Sequence, residues 1–280
     1  MSGFRCPLCD GTAARPLYAP LIQCRRCGLV CTDPDLAPSP AAEFYDQGYF
    51  TERNAYLDET DPFNAAFVQL LDLAQARKPG GRLVDIGCGP GLLLSLARQR
   101  GYAVRGCDIS PWAAQYARDR GLDVWTGDLQ SARYPSDCFD VAIVNHTLEH
   151  VPEPRQFLEE VRRILAPGGV AIVGVPNFGS LMSSLMRARW AGLLPDQHLW
   201  HFTPKTLGLL LQRAGYEVAQ ISVEPYIHRH PNPVKAGVLL ILGWTATLLR
   251  RGDSMIAVAI KPGALKPGAQ PHESQPPSPQ

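Results

Sequence analysis

The stretch LVDIGCGPGLLL, residues 83–94, constrains the fold of this 280-residue chain more than any other. A run of apolar residues typical of a buried strand ends in three glycines, Gly87, Gly89 and Gly91, and a run with helical spacing follows. Glycines at such a junction let the backbone turn sharply and come close to a bound nucleotide. The junction therefore predicts a strand–loop–helix unit of an α/β domain that binds a nucleotide or nucleoside.

Strand-like and helix-like runs alternate beyond this junction. The runs FDVAIVN at 139–145 and GVAIVGVPN at 169–177 are almost wholly apolar, which is typical of parallel strands covered by helices on both faces. We therefore predict an α/β fold built on a parallel sheet. The predicted strands are 82–87, 103–108, 123–127, 139–145, 169–177, 216–222 and 254–260.

Composition and charge argue against a nucleic-acid-binding protein and against a secreted, disulfide-bonded one. The net charge is +1 and the basic residues are scattered, so no nucleic-acid partner is expected. The first residues, MSGFRCPLCD, lack the charged start and apolar core of a signal peptide, and a cytoplasmic location is the default expectation. The eight cysteines of such a chain are not expected to form a disulfide framework.

The spacing and charge of the glycine loop favour one class of cofactor. A dinucleotide loop, G-x-G-x-x-G, would carry its third glycine at the position of Leu92, whereas this loop reads G-x-G-x-G. Asp85 stands two residues before the first glycine, where it would repel the pyrophosphate of a dinucleotide. S-adenosylmethionine carries no phosphate, and its ammonium and sulfonium groups are cationic. The loop therefore favours S-adenosylmethionine over NAD.

Two further acids follow the next two predicted strands. Asp108, in GCDIS, lies about twenty residues beyond the loop, where a carboxylate commonly binds ribose hydroxyls. Asp128, in TGDL, could reach an adenine amino group. Aspartate is also a common turn residue, and a purely structural role for Asp128 stays open.

The ordered motifs VDIGCGPG, GCDIS, TGDL, FDVAIVNHTLEHV and LAPGGVAIVGVPN resemble those of class I S-adenosylmethionine-dependent methyltransferases, over about residues 62–222. The chain is similar to the group that includes the ubiquinone and menaquinone methyltransferases. The resemblance implies a Rossmann-like sheet of seven strands, the last antiparallel, with the cofactor at the carboxyl ends of the first strands. The cofactor-binding residues that it implies are Asp85, Gly87, Cys88, Gly89 and Gly91 at the methionine end, Asp108 and Ile109 at the ribose, Asp128 and Leu129 at the adenine, and Asn145 beside His146.

Four of the cysteines have the spacing of a zinc site. The pairs are Cys6 with Cys9 and, after fourteen intervening residues, Cys24 with Cys27. Two such turns complete a tetrahedron of thiolates around zinc, and a segment of about thirty residues needs a metal to fold. We therefore predict that residues 1–32 form a zinc ribbon with a closed, structural site. Cys31 is left over and is expected to be a packing residue.

Four histidines are candidates for removing a proton from the acceptor. Methyl transfer requires alignment of the acceptor with the sulfonium and often a general base. His146 and His150 lie in NHTLEHV after the fourth strand. His198 and His201 lie in an inserted segment, DQHLWHFTP, that could fold over the pocket. A structural role is the alternative for each histidine, and we expect His146 to lie closest to the transferred methyl group.

A catalytic metal is a second interpretation of the same region. Some quinone and small-RNA methyltransferases carry an E-x-x-E-H element here that helps to hold magnesium. This chain has His146, Glu149 and His150, with histidine in place of the first acid. Because magnesium prefers oxygen ligands, this departure weakens the prediction of a magnesium site.

Together, the motifs predict an S-adenosylmethionine-dependent methyltransferase with a small N-terminal zinc ribbon. We expect O-methylation of a small-molecule acceptor, or of one linked to a lipid or a sugar. The alternatives are C-methylation of a sugar-type substrate and a catalytically silent cofactor-binding module that recognises a partner through its ribbon. The sequence defines neither the acceptor nor the oligomeric state.

The domain boundaries follow from composition. We predict a zinc ribbon at 1–32, a linker and substrate-side segment at 33–61, a methyltransferase domain at 62–261 and a disordered tail at 262–280. The run 234–251 is the most apolar helix-like segment, but its uninterrupted part is too short to span a bilayer. We expect it to be buried or to cap the substrate, with peripheral membrane contact as the alternative.

Overall fold

The computed structural model of the protein describes residues 4–36, 44–52, 65–224 and 242–263, apart from 244 and 247. The strands are β1 (Ala14–Tyr18), β2 (Leu21–Cys24), β3 (Val30–Thr32), β4 (Gly81–Ile86), β5 (Tyr102–Asp108), β6 (Val124–Thr126), β7 (Phe139–Asn145), β8 (Leu165–Pro176), β9 (Trp200–His201), β10 (Glu217–Glu224) and β11 (Ser254–Ile260). The helices are α1 (Gln47–Glu52), α2 (Ala65–Arg77), α3 (Leu92–Gln99), α4 (Pro111–Arg118), α5 (Pro154–Ile164), α6 (Leu181–Met186) and α7 (Pro204–Arg213).

The larger sheet has seven strands in the order β10-β11-β8-β7-β4-β5-β6. Strands β4, β5, β6, β7 and β8 pair in parallel, and β11 runs antiparallel to both of its neighbours. This arrangement confirms the predicted Rossmann-like sheet with an antiparallel last strand. The strand order reverses at β4, which lies between β5 and β7, and ligands of such sheets bind in the crevice at this point.

Two apolar clusters cover the two faces of the sheet. Along β7, Ala142 and Val144 belong to the cluster packed under α5 and α7, whereas Val141 and Ile143 belong to the cluster packed under α2, α3 and α4. Both faces of a central strand are thus buried, which explains the unbroken apolar run in its sequence. Truncating Ile143 to alanine would cost about 2–5 kcal/mol of stability, since its side chain is fully buried.

Two helices, α4 and α7, begin at local capping signals. The hydroxyl of Ser110 accepts a hydrogen bond from the Ala113 amide at 3.2 Å, and Pro111 occupies the first position of α4. Thr203 and Thr206 cap α7 reciprocally, each side chain accepting from the other residue's amide. Each cap satisfies an amide that the helix itself leaves free and is worth about 1 kcal/mol.

The smaller sheet joins the N-terminal segment to the rest of the chain. Its order is β1-β2-β3-β9, so its fourth strand comes from the segment around residue 200. The ribbon cysteines Cys6, Cys9 and Cys24 lie in the same apolar cluster as Phe202 and Val144 of the main domain. The ribbon predicted at 1–32 thus packs directly against the main domain, since a segment this short has too little apolar core of its own.

Several predictions fall outside the described residues. They concern parts of the linker and substrate-side segment at 33–61, the first residues of the methyltransferase domain from residue 62, most of the apolar run 234–251, and the tail beyond residue 263. Across the part of the chain that the structure describes, no helix is both long enough and apolar enough to cross a bilayer.

Candidate functional site

A cavity of about 730 Å³ opens at the carboxyl ends of β4, β5 and β7. Its position is the crevice where the strand order of the sheet reverses, and its volume lies in the range typical of small-molecule sites. Nine of the ten predicted cofactor residues line it, namely Asp85, Gly87, Cys88, Gly89, Asp108, Ile109, Asp128, Leu129 and Asn145.

The three loop glycines share one backbone conformation, and two of them also lie too close to a neighbour to carry a side chain. All three have a positive φ, between 51° and 86°, which side chains other than glycine adopt only with strain. A Cβ atom on Gly87 would collide with Thr147 Oγ1, on the wall of the cavity. A Cβ atom on Gly91 would come within 2.5 Å of Leu122 Cδ1. The predicted residue Gly91 therefore does not line the cavity but allows α3 to pack closely.

Two buried carboxylates form the floor of the cavity beside the loop. Asp108 accepts hydrogen bonds from the amides of Gly89 at 2.7 Å and Ser110 at 2.8 Å. Burial, followed by the nearby Asp108, raises the pKa of Asp85 to about 8. Burial also raises the pKa of Asp108, against the effect of its two amide donors. A cationic ligand would relieve this clustering of acids, whereas a pyrophosphate would aggravate it.

The residues predicted to contact the adenine combine structural and lining roles. Asp128 accepts a hydrogen bond from the Ser131 amide at 2.7 Å, which makes it a turn residue as well as part of the cavity wall. Ile109 is 37% exposed at the rim of the cavity, whereas Leu129 is only 2% exposed. The wall thus offers one exposed acid between apolar side chains, an arrangement suited to a planar base with a polar edge.

An aromatic cover over the glycine loop comes from the predicted substrate-side segment, in which the sequence analysis identified no individual residue. Tyr45, Tyr49 and Phe50 line the cavity from α1 and the turn before it, and Ser110 Oγ donates to the Tyr45 carbonyl oxygen at 2.5 Å. The Phe50 ring stacks on Trp112 at 5.8 Å between centroids. The run EFYDQGYF was the available signal, but its residues carry no motif.

Three of the four candidate histidines meet at the opposite wall of the cavity. His146, His150 and His198 line it, and the rings of His150 and His198 lie 4.8 Å apart between centroids. The Nδ1 atoms of these two rings contact the carbonyl oxygens of Gln197 at 3.0 Å and Gly192 at 3.1 Å. A carbonyl oxygen can only accept, so each Nδ1 carries the proton and each Nε2 is left unprotonated in the neutral ring.

The structure does not bring His201 to this wall, contrary to expectation. His201 is 3% exposed and does not line the cavity, and its Nε2 lies 3.1 Å from Thr32 Oγ1. Burial, followed by the neighbouring His198, lowers its pKa to about 3. The physical reason is strand pairing: β9 turns this side chain toward the ribbon rather than toward the ligand.

A buried glutamate, Glu149, organises the histidines. It is 1% exposed, and its Oε1 lies 3.2 Å from His146 Nδ1. Burial opposes ionisation, but the His146 hydrogen bond and the neighbouring imidazoles together lower the pKa of Glu149 to about 2. Its Oε2 atom has no hydrogen-bond partner among the described residues. His146 itself has a φ of 50°, a backbone strain that tends to occur at functional sites.

The same glutamate lies beside unprotonated nitrogen atoms. Burial is the main reason that the pKa of His198 falls to about 4, so its ring is neutral near pH 7, yet its Nε2 lies 3.9 Å from Glu149 Oε1. One ligand atom each from Glu149, His150 and His198 lie within 4.8 Å of one another. His198 Nε2 and Glu149 Oε1 are both hydrogen-bond acceptors, and a cation between them would stabilise their close approach.

These residues fit a bound metal dication. Ligating histidines usually donate their second ring nitrogen to a carbonyl or carboxylate, as His150 and His198 do here. Two imidazoles and one carboxylate suit a transition metal better than magnesium. The magnesium site that the E-x-x-E-H resemblance suggested is thus replaced by a candidate site of a different composition, which includes His198 from outside the motif.

The ribbon cysteines are gathered at one point, as predicted. Their four ligand sulfur atoms lie within 4.8 Å of one another, with Cys6 and Cys27 3.4 Å apart and Cys9 and Cys24 3.5 Å apart. A tetrahedral zinc site with Zn–S bonds of about 2.3 Å has sulfur–sulfur edges of about 3.8 Å. The cluster therefore fits a Cys₄ zinc ion. Cys31 is buried outside it, in keeping with a packing role.

The sheet order, the glycine loop and the crevice at the strand reversal define the class I, S-adenosylmethionine-dependent methyltransferase fold. The chain superimposes with a TM-score of 0.55 on an S-adenosylmethionine-dependent methyltransferase from Archaeoglobus fulgidus, at 21% identity over 75% of this chain and 96% of that one. It also resembles 1,6-didemethyltoxoflavin-N1-methyltransferase from Burkholderia thailandensis, solved with S-adenosylhomocysteine, with a TM-score of 0.56 at 17% identity over 89% of this chain and 99% of that one.

The sequence comparisons agree with this class. The profile of the family described as "Methyltransferase domain" matches residues 58–221, more than half of the chain, and the chain belongs to this family. It is 38% identical over 151 residues to trans-aconitate 2-methyltransferase of Rhodococcus jostii, covering 51% of this chain and 59% of the relative. It is 31% identical over 153 residues to ubiquinone biosynthesis O-methyltransferase of a Caulobacter strain, covering 49% and 59%. The alignments thus span about three fifths of these relatives.

Proposed function

We propose that the protein transfers a methyl group from S-adenosylmethionine to a hydroxyl group of a small molecule. One observation carries the proposal: two buried acids, Asp85 and Asp108, line the same cavity as the three histidines that surround Glu149. The acids suit a cationic cofactor, and the histidines suit an acceptor that must lose a proton. The names of the relatives, which include an O-methyltransferase, support the choice of oxygen as the methylated atom.

On the cofactor side, the buried acids have separate roles. Ionised Asp85 would attract the ammonium group of the methionine end, where the positive-φ glycines let the backbone approach. Asp108 would accept from the ribose hydroxyls while it retains its hydrogen bonds to the Gly89 and Ser110 amides. Asp128, with Ile109 and Leu129 beside it, would contact the adenine.

On the acceptor side, His146 is the best-supported general base. Its Nδ1 faces the ionised Glu149 at 3.2 Å, so Nδ1 carries a proton and Nε2 has the free lone pair. In the reaction, Nε2 takes the hydroxyl proton, the acceptor oxygen forms a bond to the methyl carbon, and the carbon–sulfur bond breaks to leave a neutral thioether. Glu149 stabilises the imidazolium that results, as the carboxylate does in catalytic triads. His198, with a pKa near 4, is too weak a base at neutral pH.

Single-turnover rates with labelled S-adenosylmethionine would test this assignment. Cell extract supplies candidate acceptors, and the mass shift of one metabolite identifies the substrate. We expect His146→Ala to lower the rate by about 10²–10⁴ while cofactor affinity, measured by calorimetry, stays within a few-fold. A near-normal rate would remove the general base from the proposal. Cofactor binding without turnover of any acceptor would favour the silent-module alternative, and a methylated carbon would favour the C-methyltransferase alternative.

A metal dication held by Glu149, His150 and His198 is a second candidate for acceptor activation. It is favoured by the unpartnered Glu149 Oε2 and by the unprotonated His198 Nε2 that faces the same carboxylate. Such an ion would lower the pKa of a bound hydroxyl. Elemental analysis should then find two metal ions per chain, and Glu149→Gln should retain only the ribbon ion. One ion in both proteins would exclude this candidate.

A further inference from the structure

The zinc ribbon and the acceptor side of the cavity share one strand pairing. Strand β9 pairs with β3 of the ribbon, with Val30 opposite His201 and Cys31 opposite Trp200. Strand β9 begins two residues after His198, which lines the cavity. The ribbon sheet therefore continues directly into the segment that carries one wall of the active site.

Thr32 makes the closest link between the two. It is 3% exposed, its amide donates to the Leu199 carbonyl at 3.0 Å, and its hydroxyl donates to the His198 carbonyl at 2.7 Å. The same hydroxyl lies 3.1 Å from His201 Nε2. A hydroxyl has one proton, which the carbonyl takes, so His201 Nε2–H must donate to Thr32 Oγ1. Three hydrogen bonds thus converge on one ribbon residue.

The segment 198–201 is also hydrogen-bonded to the turn that bears Glu149. The Leu199 amide donates to the Glu149 carbonyl at 2.8 Å, and Trp200 Nε1 donates to the Val151 carbonyl at 2.8 Å. Residues 198–201 are therefore held between the ribbon and the turn that bears Glu149. Loosening the ribbon side would release His198 from its position opposite this carboxylate.

The ribbon in turn depends on its cysteines. Its strands β1, β2 and β3 have five, four and three residues, and three of its four clustered cysteines lie in the apolar cluster that the ribbon shares with the main domain. β3 begins three residues after Cys27. A short segment of this kind obtains its folding energy from the metal, so the position of Thr32 depends on occupancy of the cysteine site.

We propose that the ribbon positions the acceptor wall, the wall of the cavity lined by His146, His150 and His198. Thr32 is the positioning residue: when the cysteine site is occupied, Thr32 is held in place and in turn holds His198. The inference rests on the proposed function for its catalytic consequence, because His198 faces Glu149, the carboxylate that orients His146. It distinguishes two halves of the site: the glycine loop, Asp85 and Asp108 belong to β4 and β5, whereas His198 belongs to the segment that the ribbon holds. Zinc loss should therefore impair the acceptor half and spare the cofactor half.

Hydrogen–deuterium exchange on the full chain tests this without any acceptor. We compare the zinc-loaded wild type with the Cys24→Ser variant, which should lose only the ribbon ion. The expected result is faster exchange in residues 194–203 by at least about tenfold, unchanged exchange in 83–108, and S-adenosylmethionine affinity within a few-fold. Unchanged exchange in 194–203 would overturn the proposal. Equal loss of protection in 83–108 would also overturn it, because the ribbon would then be a general stabiliser.

A pair of Thr32 variants tests the same link with zinc in place. Thr32→Val removes the hydroxyl at nearly constant volume, and Thr32→Ser keeps it. We expect the valine variant to retain its zinc and cofactor affinity but to lose about tenfold to a hundredfold in single-turnover rate, since it leaves two buried polar groups unpaired. The serine variant should recover to within a few-fold. Equal rates in both variants would refute the role of Thr32, whereas absence of methyl transfer by the wild type contradicts the proposed function alone.

Discussion

The ionisation of Asp85 should control the affinity for S-adenosylmethionine. This carboxyl lies 4% exposed in the cavity, and burial beside Asp108 raises its pKa to about 8. Below that pH the folded apoprotein holds it protonated and neutral. If the cofactor ammonium requires the ionised form, binding must release a proton. The experiment therefore varies pH and measures cofactor affinity. The matched control is Asp85→Asn, which has nearly the same shape but no ionisable group.

The expected magnitude follows from the ionised fraction. With a pKa of about 8, roughly 1% of the apoprotein is ionised at pH 6, roughly 10% at pH 7 and half at pH 8. Because apparent affinity scales with the competent fraction, the dissociation constant should fall about tenfold from pH 6 to 7 and about fivefold from pH 7 to 8. Asp85→Asn should bind weakly throughout and should approach the wild type only near pH 6.

Calorimetry in two buffers of different ionisation enthalpy measures both quantities. The dependence of the binding enthalpy on the buffer should indicate release of close to one proton per cofactor at pH 6.5 in the wild type. The asparagine variant should show only the titration of the ligand itself. If the wild type and the variant had the same pH dependence, Asp85 would not be the group that pairs with the cofactor.

The same shift has a consequence for stability, and its sign is opposite to that of a salt-bridged acid. The ordinary pKa of an aspartate is 3.8, and the folded value is higher. Between these two values the unfolded chain has lost a proton that the folded chain retains. The contribution of Asp85 to stability therefore decreases as pH rises from about 4 to about 8, and bound cofactor should offset this loss.

Three further predictions concern the glycine loop, Asp108 and the ribbon. Gly87→Ala should abolish cofactor binding in calorimetry, because its Cβ would collide with Thr147 in a backbone conformation of φ 78°; retained affinity would contradict the proposed path of the loop. Asp108→Ala should weaken cofactor binding by about 1–3 kcal/mol, the usual cost of losing hydrogen bonds to a charged group, and tight binding of NAD by the wild type would argue against the cofactor assignment altogether. Elemental analysis should show loss of one zinc ion in Cys24→Ser but not in Cys31→Ser, and the reverse result would mean that the four ligands are wrongly assigned.

The sequence by itself determined the parts of this protein that depend on local signals. The strands 139–145 and 254–260 have the predicted bounds, because an unbroken apolar run can only be a buried strand in this context. The glycine loop and the acid two residues before it were likewise recognisable, since their spacing follows from backbone geometry and charge. The paired cysteines were predicted together for the same reason, because metal coordination imposes a spacing within each pair.

The tertiary structure alone decided which distant residues share the acceptor wall. No local pattern relates β9 to β3, since a two-residue strand has no period of its own. That pairing turns His201 toward Thr32 and leaves His198 facing the cavity, although the two histidines are only three residues apart. The environment of Glu149 also depends on tertiary structure. Its burial, and the approach of His198 to the same carboxylate as His146 and His150, bring together segments about fifty residues apart. Burial and pairing between remote segments depend on how the whole chain packs, and no local window of sequence contains that information.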